Sequence, residues 1–286
     1  MKARIAIVVA AVAACAGAAN ASILNFAQLG INPNFSGGDG PVNTSVQQPG
    51  HIFLGDATTG GLPGSLLVPS GSGQVDVDYG YVKMFGSAFA SLNTVVRGYF
   101  RDDVTFTAPG LTTGTLINVT FSLSLNGLLQ PGQNTSLASY QLQADLGGGA
   151  FDINKSAHFF SPDPIFGASA GTFVGDAFGT YTTTVTVQVG FALPLDVELT
   201  GSAQASCNFV TCGDADFFLN NSLYWAGISS VTLLNGTAVD GFAAAGASGT
   251  NWANSFVPQV GVPVPATLLL FASGLAGLGI TRRRTA

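Results

Sequence analysis

Ile117-Asn118-Val119-Thr120-Phe121-Ser122-Leu123-Ser124-Leu125 decides the fold. Every second residue is apolar and every one between carries an amide or hydroxyl, the period of a strand with one face to a core and the other to solvent. Val185, Val187, Val189 and Phe191 repeat the pattern against Thr184, Thr186, Gln188 and Gly190. Shorter runs are Val75, Val77, Tyr79, Tyr81 and Tyr140, Leu142, Ala144, Leu146. Asn126-Gly127 and Asn235-Gly236 each follow an apolar run and predict tight hairpin turns. Helical periodicity is scarce outside the termini. The expectation is an all-β body, an antiparallel β-sandwich or jelly roll, over residues 22–258. Asn32 to Ser72 is rich in Gly, Pro and Ser and weakly periodic, so it reads as a loop system, an edge decoration or a partly disordered segment.

Charge is distributed unevenly. Nine Lys and Arg face fifteen acids in the whole chain. Lys2 and Arg4 lie at the amino end and Arg282, Arg283 and Arg284 at the carboxyl end. Lys83, Arg97, Arg101 and Lys155 are left against all fifteen acids, a body of net charge −11. Such a body repels nucleic acid, whose affinity rests on Lys and Arg contacts. Glu198 is the sole glutamate, which argues against helices laced with ion pairs.

The amino end has the form of a signal peptide: a basic Met1-Lys2-Ala3-Arg4, an apolar Ile5 to Ala14 expected to be helical, and Ala19-Asn20-Ala21 in the small-x-small pattern read by signal peptidase. Cleavage after Ala21 starts the mature chain at Ser22. Val12-Ala13-Ala14-Cys15 offers a rival, a lipobox that would place lipid on Cys15. After cleavage at Ala21 only Cys207 and Cys212 remain, and in an oxidising compartment they are expected to close a small disulfide loop.

At the other end, Val262-Pro263-Val264-Pro265 precedes an uncharged apolar run, Ala266 to Ile280, and then Arg282-Arg283-Arg284. A helix over that run is roughly 22 Å long against a bilayer core of about 30 Å. It spans with help from the flanking residues and from arginines that reach the headgroups and stay cytoplasmic. A buried terminal helix or strand of a soluble domain is the alternative, and three consecutive arginines argue against it.

This tail resembles the PEP-CTERM sorting signal of exported bacterial proteins, through Val262-Pro263-Val264-Pro265, Phe271-Ala272-Ser273-Gly274-Leu275 and Arg282 to Arg284. Val264 stands where the family pattern has glutamate. The resemblance implies a signal over 259–286 with a transmembrane helix at about 266–281. It further implies a transient stay in the inner membrane of a Gram-negative bacterium, cutting near Pro263 to Pro265 by an exosortase, and delivery to the outer surface or an exopolysaccharide matrix. Asp214-Ala215-Asp216-Phe217-Phe218-Leu219-Asn220-Asn221 and Gly246-Ala247-Ser248-Gly249-Thr250-Asn251-Trp252 resemble, less closely, stretches that precede such tails, and suggest two closing strands.

Candidate chemistry is sparse. Gly167-Ala168-Ser169-Ala170-Gly171 has the form of a nucleophile elbow but lacks a strand before it and a helix after it, and the possible bases, His51 and His158, both precede Ser169. Asp76-Val77-Asp78 and Asp214-Ala215-Asp216 place two carboxylates on one strand face, a spacing suited to calcium or simply a solvated face. Asp102-Asp103 reads as a turn or strand end. Tyr79, Tyr81, Tyr99, Tyr140, Tyr181, Tyr224, Trp225 and Trp252 read as core, or as a platform for sugars. No catalytic residue, cofactor or metal ligand is assigned. The expected function is that of a non-enzymatic surface or matrix protein, with a carbohydrate-binding module, a polysaccharide hydrolase and a permanently anchored adhesin as alternatives.

Overall fold

In the computed structural model, the described residues are 23–33, 42–59, 69–132, 136–148, 151–161, 171–207 and 212–257. The signal residues Ala19, Ala21 and Ser22, Cys15, the elbow at Ser169, Val262 to Pro265 and Arg282 to Arg284 lie outside them. So do both expected terminal helices. Among the described residues no helix is long and apolar enough to cross a membrane.

The body is all-β and antiparallel. One sheet runs in the order β11 (Thr172–Gly175), β10 (Ile153–Ser161), β9 (Ser136–Leu146), β13 (Ala192–Ala205), β6 (Leu92–Thr107), β1 (Leu24–Pro33) and β2 (Val42–Gln48), with β15 (Ala243–Gly246) also on β6. The other runs β12 (Gly179–Gln188), β7 (Leu116–Leu125), β14 (Asp214–Leu233), β5 (Tyr81–Phe89), β4 (Ser70–Asp78) and β3 (Ile52–Thr59), with β8 (Leu128–Pro131) also on β14. The chain changes sheet between β5 and β6, at Ala90 and Ser91, whose φ angles of 56° and 66° are left-handed. Such residues cost about 1–3 kcal/mol each and persist where the surroundings dictate them. Here the Ala90 N–H donates to Gly213 O at 3.0 Å.

Period-two patterning fixes which face turns inward. In β6 alternate residues from Leu92 to Phe106 are buried, and in β7 Ile117, Val119, Phe121, Leu123 and Leu125 all are. An aromatic spine links the sheets: Phe121 of β7 stacks on Trp225 of β14 at 5.1 Å, Trp225 meets Trp252 edge-on at 5.3 Å, and Trp252 stacks on Phe100 of β6 at 5.5 Å. These geometries are the ones ring quadrupoles favour. Trp225 Nε1–H donates to Trp252 O at 2.8 Å, so the buried indole is satisfied.

Two local expectations are corrected, and one turn forms with a different backbone. Asn126-Gly127 is not a hairpin: β7 and β8 run in the same direction along β14, one after the other. Leu128 to Pro131 finds a better partner in Ala215 to Phe218 than in the strand just left. Asn235-Gly236 does reverse the chain, but only Gly236 takes a positive φ, and Gly236 N–H bonds Leu233 O. The run Val75 to Tyr81 is broken by a turn at Tyr79-Gly80, which moves Tyr81 to the outward face while Val75 and Val77 stay buried. Among the described residues between Asn32 and Ser72, β2 forms against β1 and β3 against β4. Both lie at sheet ends, where one neighbour supplies the order that their own weak periodicity does not announce.

Candidate functional site

The outward face of β4 and β5 gathers the polar and aromatic side chains best placed to meet a ligand. Cross-strand pairing sets Asp76 opposite Lys83, and Tyr81 opposite Tyr224. Asp76 Oδ1 lies 2.7 Å from His51 Nε2 and accepts from the Tyr81 hydroxyl at 3.3 Å. Lys83 Nζ sits 4.7 Å from the centre of the Tyr81 ring and 5.8 Å from that of Tyr224, within cation–π range. Burial, then the charges of Asp76 and Asp78, push the Tyr81 phenol upward, so it stays a neutral donor at physiological pH. Beside it, Phe85 of β5 and Phe218 of β14 pair at 5.3 Å. Gln74, Asp76, Lys83 and Phe85 line a shallow hollow there. Half-exposed rings flanked by an amide, a carboxylate and an ammonium suit a ligand with an apolar face and a rim of hydroxyls.

The residues singled out by sequence are mostly kept apart. Asp76 is engaged as above, while Asp78 Oδ1 accepts from the Tyr79 N–H at 2.8 Å. Burial and then the neighbouring Asp214 charge raise the Asp216 carboxyl. Among the described residues no three His, Cys, Asp or Glu groups gather in a way that could hold a metal ion. His51 and His158 lie in different sheets, beside β3 and within β10. Cys207 and Cys212 form a disulfide across an isolated antiparallel bridge. Tyr140, Tyr224, Trp225 and Trp252 are buried, whereas Tyr79, Tyr81, Tyr99 and Tyr181 are half-buried.

The two stretches ahead of the tail prove to be packing devices. Asp214 to Leu219 opens β14 and sends Ala215, Phe217 and Leu219 inward. Phe217 lies between Gly86 of β5 and Gly201 of β13, where a Cβ on either glycine would run into its ring. The second stretch is a turn rather than a strand: only Ala243 to Gly246 pairs with β6, and Gly246 N–H bonds Thr250 O at 2.8 Å. This turn wraps Asp102, which is fully buried inside β6 and is neither turn nor strand end. Asp102 accepts from Ser248 Oγ at 2.6 Å, Ser248 N at 3.1 Å, Trp252 Nε1 at 2.7 Å and Asp103 N at 2.9 Å. Four donors compensate a carboxylate that would otherwise be too costly to bury. Sequence reasoning missed it because the partners lie some 146 to 150 positions away.

No curated protein and no solved structure was found to match the chain. A family model described as the PEP-CTERM protein-sorting motif matches residues 261–284, a segment that includes Val262 to Pro265 and Arg282 to Arg284. The chain therefore carries a PEP-CTERM sorting signal, which implies export through the membrane to the cell surface and processing by an exosortase, a membrane protease.

Proposed function

We propose that this chain is a non-enzymatic structural protein of the outer surface or exopolysaccharide matrix of a Gram-negative bacterium, built as a β-sandwich. Signal peptidase releases it at Ala21, the inner membrane holds it briefly by residues 266–281, and exosortase cuts it near Pro263 to Pro265. The sorting motif at residues 261–284 is the observation that carries this reading. An acidic body supports it too, since like charge keeps an exported protein soluble and away from anionic polymers such as nucleic acid.

The test is the intact mass of the native protein recovered separately from membranes and from extracellular matrix. A matrix species beginning at Ser22 and ending near Pro263 is expected. A species found only in membranes and still carrying Arg282 to Arg284 would make it a permanently anchored adhesin, and lipid on Cys15 would replace the cut at Ala21.

The face of Asp76, Tyr81, Lys83, Phe85 and Phe218 favours a second reading, a carbohydrate-binding module on the same address. Glycan binding measured with and without calcium separates the two, and turnover of any polysaccharide would overturn the non-enzymatic assignment.

A further inference from the structure

Of the four strands at the sheet ends, β2, β3, β11 and β12, the last is the longest, ten residues against seven, eight and four. It is paired with β7 over its whole length without a bulge, and no described strand pairs its other side. Long regular edges are normally blunted by charge, proline or a bulge, because their free N–H and C=O groups template another strand. β12 reads Gly179-Thr180-Tyr181-Thr182-Thr183-Thr184-Val185-Thr186-Val187-Gln188 and contains none of these, in a body of net charge −11. By contrast β3 carries Asp56 and β11 is short.

The sequence of this edge is nearly symmetric about Thr183. An antiparallel pairing of β12 with the same strand of a second copy, with the two-fold axis at Thr183, sets Thr180 opposite Thr186, Tyr181 opposite Val185, Thr182 opposite Thr184, and Thr183 opposite itself. Parity is preserved, so outward hydroxyls meet hydroxyls and core-side groups meet core-side groups. Thr180, Thr182, Thr184 and Thr186 are exposed, while Tyr181, Thr183 and Val185 are half-buried, as residues at an open margin of the core are. Tyr181 and Val185 already pack against that core, and a second copy would cover their free sides.

The outward hydroxyls are also held in place. Thr184 Oγ1 lies 2.8 Å from Thr120 Oγ1, Ser122 Oγ 2.8 Å from Thr182 Oγ1, and Thr186 Oγ1 donates to Asn118 Oδ1 at 2.7 Å. Each threonine hydroxyl has one donor and two acceptor positions, so the ladder can continue into a second copy. Cross-strand threonine pairs are themselves favourable. From this edge we infer that two copies of the chain associate through β12 in an isologous, two-fold antiparallel pairing that joins their β12-edged sheets into one.

The test uses the whole chain in detergent micelles and reads its mass by sedimentation equilibrium, with far-UV circular dichroism to check folding. A dimer is expected for the unaltered chain. Thr182→Asp with Thr184→Asp puts like charges opposite each other twice across the axis, and should weaken dimerisation at least tenfold. Thr182→Asp with Thr184→Lys puts opposite charges there, and should restore it. Thr183→Cys should form an intermolecular disulfide on mild oxidation while Thr180→Cys does not, because only the residue on the axis meets itself. Made in a Cys15→Ser background, where Cys207 and Cys212 are already joined to each other, this crosslink reads β12 alone, independent of any pairing through the tail. A monomer at all concentrations, failure of the Asp/Lys pair to restore the dimer lost with Asp/Asp, or equal crosslinking at 180 and 183 would each overturn the inference. So would an unchanged dimer in the folded Asp/Asp chain.

Discussion

The indole Nε1–H of Trp252 donates to Oδ2 of Asp102 at 2.7 Å, and both residues are fully buried. The bond ties the last turn of the body to the middle of its longest inner strand in that sheet, β6. Removing the carboxylate takes the acceptor from the buried Trp252 N–H and from the Ser248 amide, while the Ser248 hydroxyl keeps only Thr250 as its partner. Asp102→Ala is therefore expected to cost about 3–5 kcal/mol, and Trp252→Phe about 1–3 kcal/mol. Because the two share one network, the double variant should lose clearly less than the sum of the single changes. Urea denaturation of all three chains measures this; additive losses would show that the bond does not couple them.

Phe217 fills the space between the two sheets, with Gly86 beside it and Gly201 across from it. Gly201→Ala is expected to destabilise by about 1–3 kcal/mol through overpacking. Combining it with Phe217→Leu, which vacates ring volume, should recover part of that loss. If Gly201→Ala proves neutral in thermal denaturation, the ring has room that the packing does not show.

Stability should depend on pH in two opposed phases. Asp152, Asp196 and Asp216 have carboxyls raised first by burial, with charge from Asp145, Asp145 with Asp103, and Asp214 adding to it. A raised carboxylate binds its proton more readily in the folded state, so stability rises as pH falls from neutrality through those folded values towards the unfolded value of about 4. Asp176 is the opposite case, lowered by the Ser156 N–H at 3.2 Å and then by Lys155 Nζ at 3.1 Å. Its contribution is present above about pH 4 and is lost as pH falls through its depressed folded value. Melting temperatures across pH 2–8 should peak on the acidic side of neutrality. Asp176→Asn should remove part of the decline on the acid limb, and a monotonic fall from pH 7 would contradict the assignment of the three raised groups.

Sorting is expected to depend on Pro263, Pro265 and the terminal arginines. Replacing Arg282, Arg283 and Arg284 by serine should leave a larger share of uncut chain, since the basic cluster fixes orientation in the membrane. Val264→Glu, which gives the tail the family's usual residue, should raise the cut fraction. Intact mass of matrix and membrane pools reads both; no change with the arginines removed would separate sorting from the basic cluster.

The sequence by itself determined the all-β class, the inward faces of β7 and β9, and the sorting tail. Each is written in local periodicity or in contiguous residues, so it survives without knowledge of partners: Val119 and Phe121 are inward because alternate side chains leave a strand on opposite sides. Tertiary structure alone decided what lies between distant positions. It turned Asp102 from an apparent strand end into a buried anchor, ran β8 on from β7 along β14 in place of a hairpin at Asn126-Gly127, and gave Gly86 and Gly201 a common purpose in Phe217. It also set Asp76, Tyr81 and Lys83 side by side. Those relations rest on pairing register and on close packing between sheets, energies that are summed over partners far apart in the chain and leave no periodic trace in it.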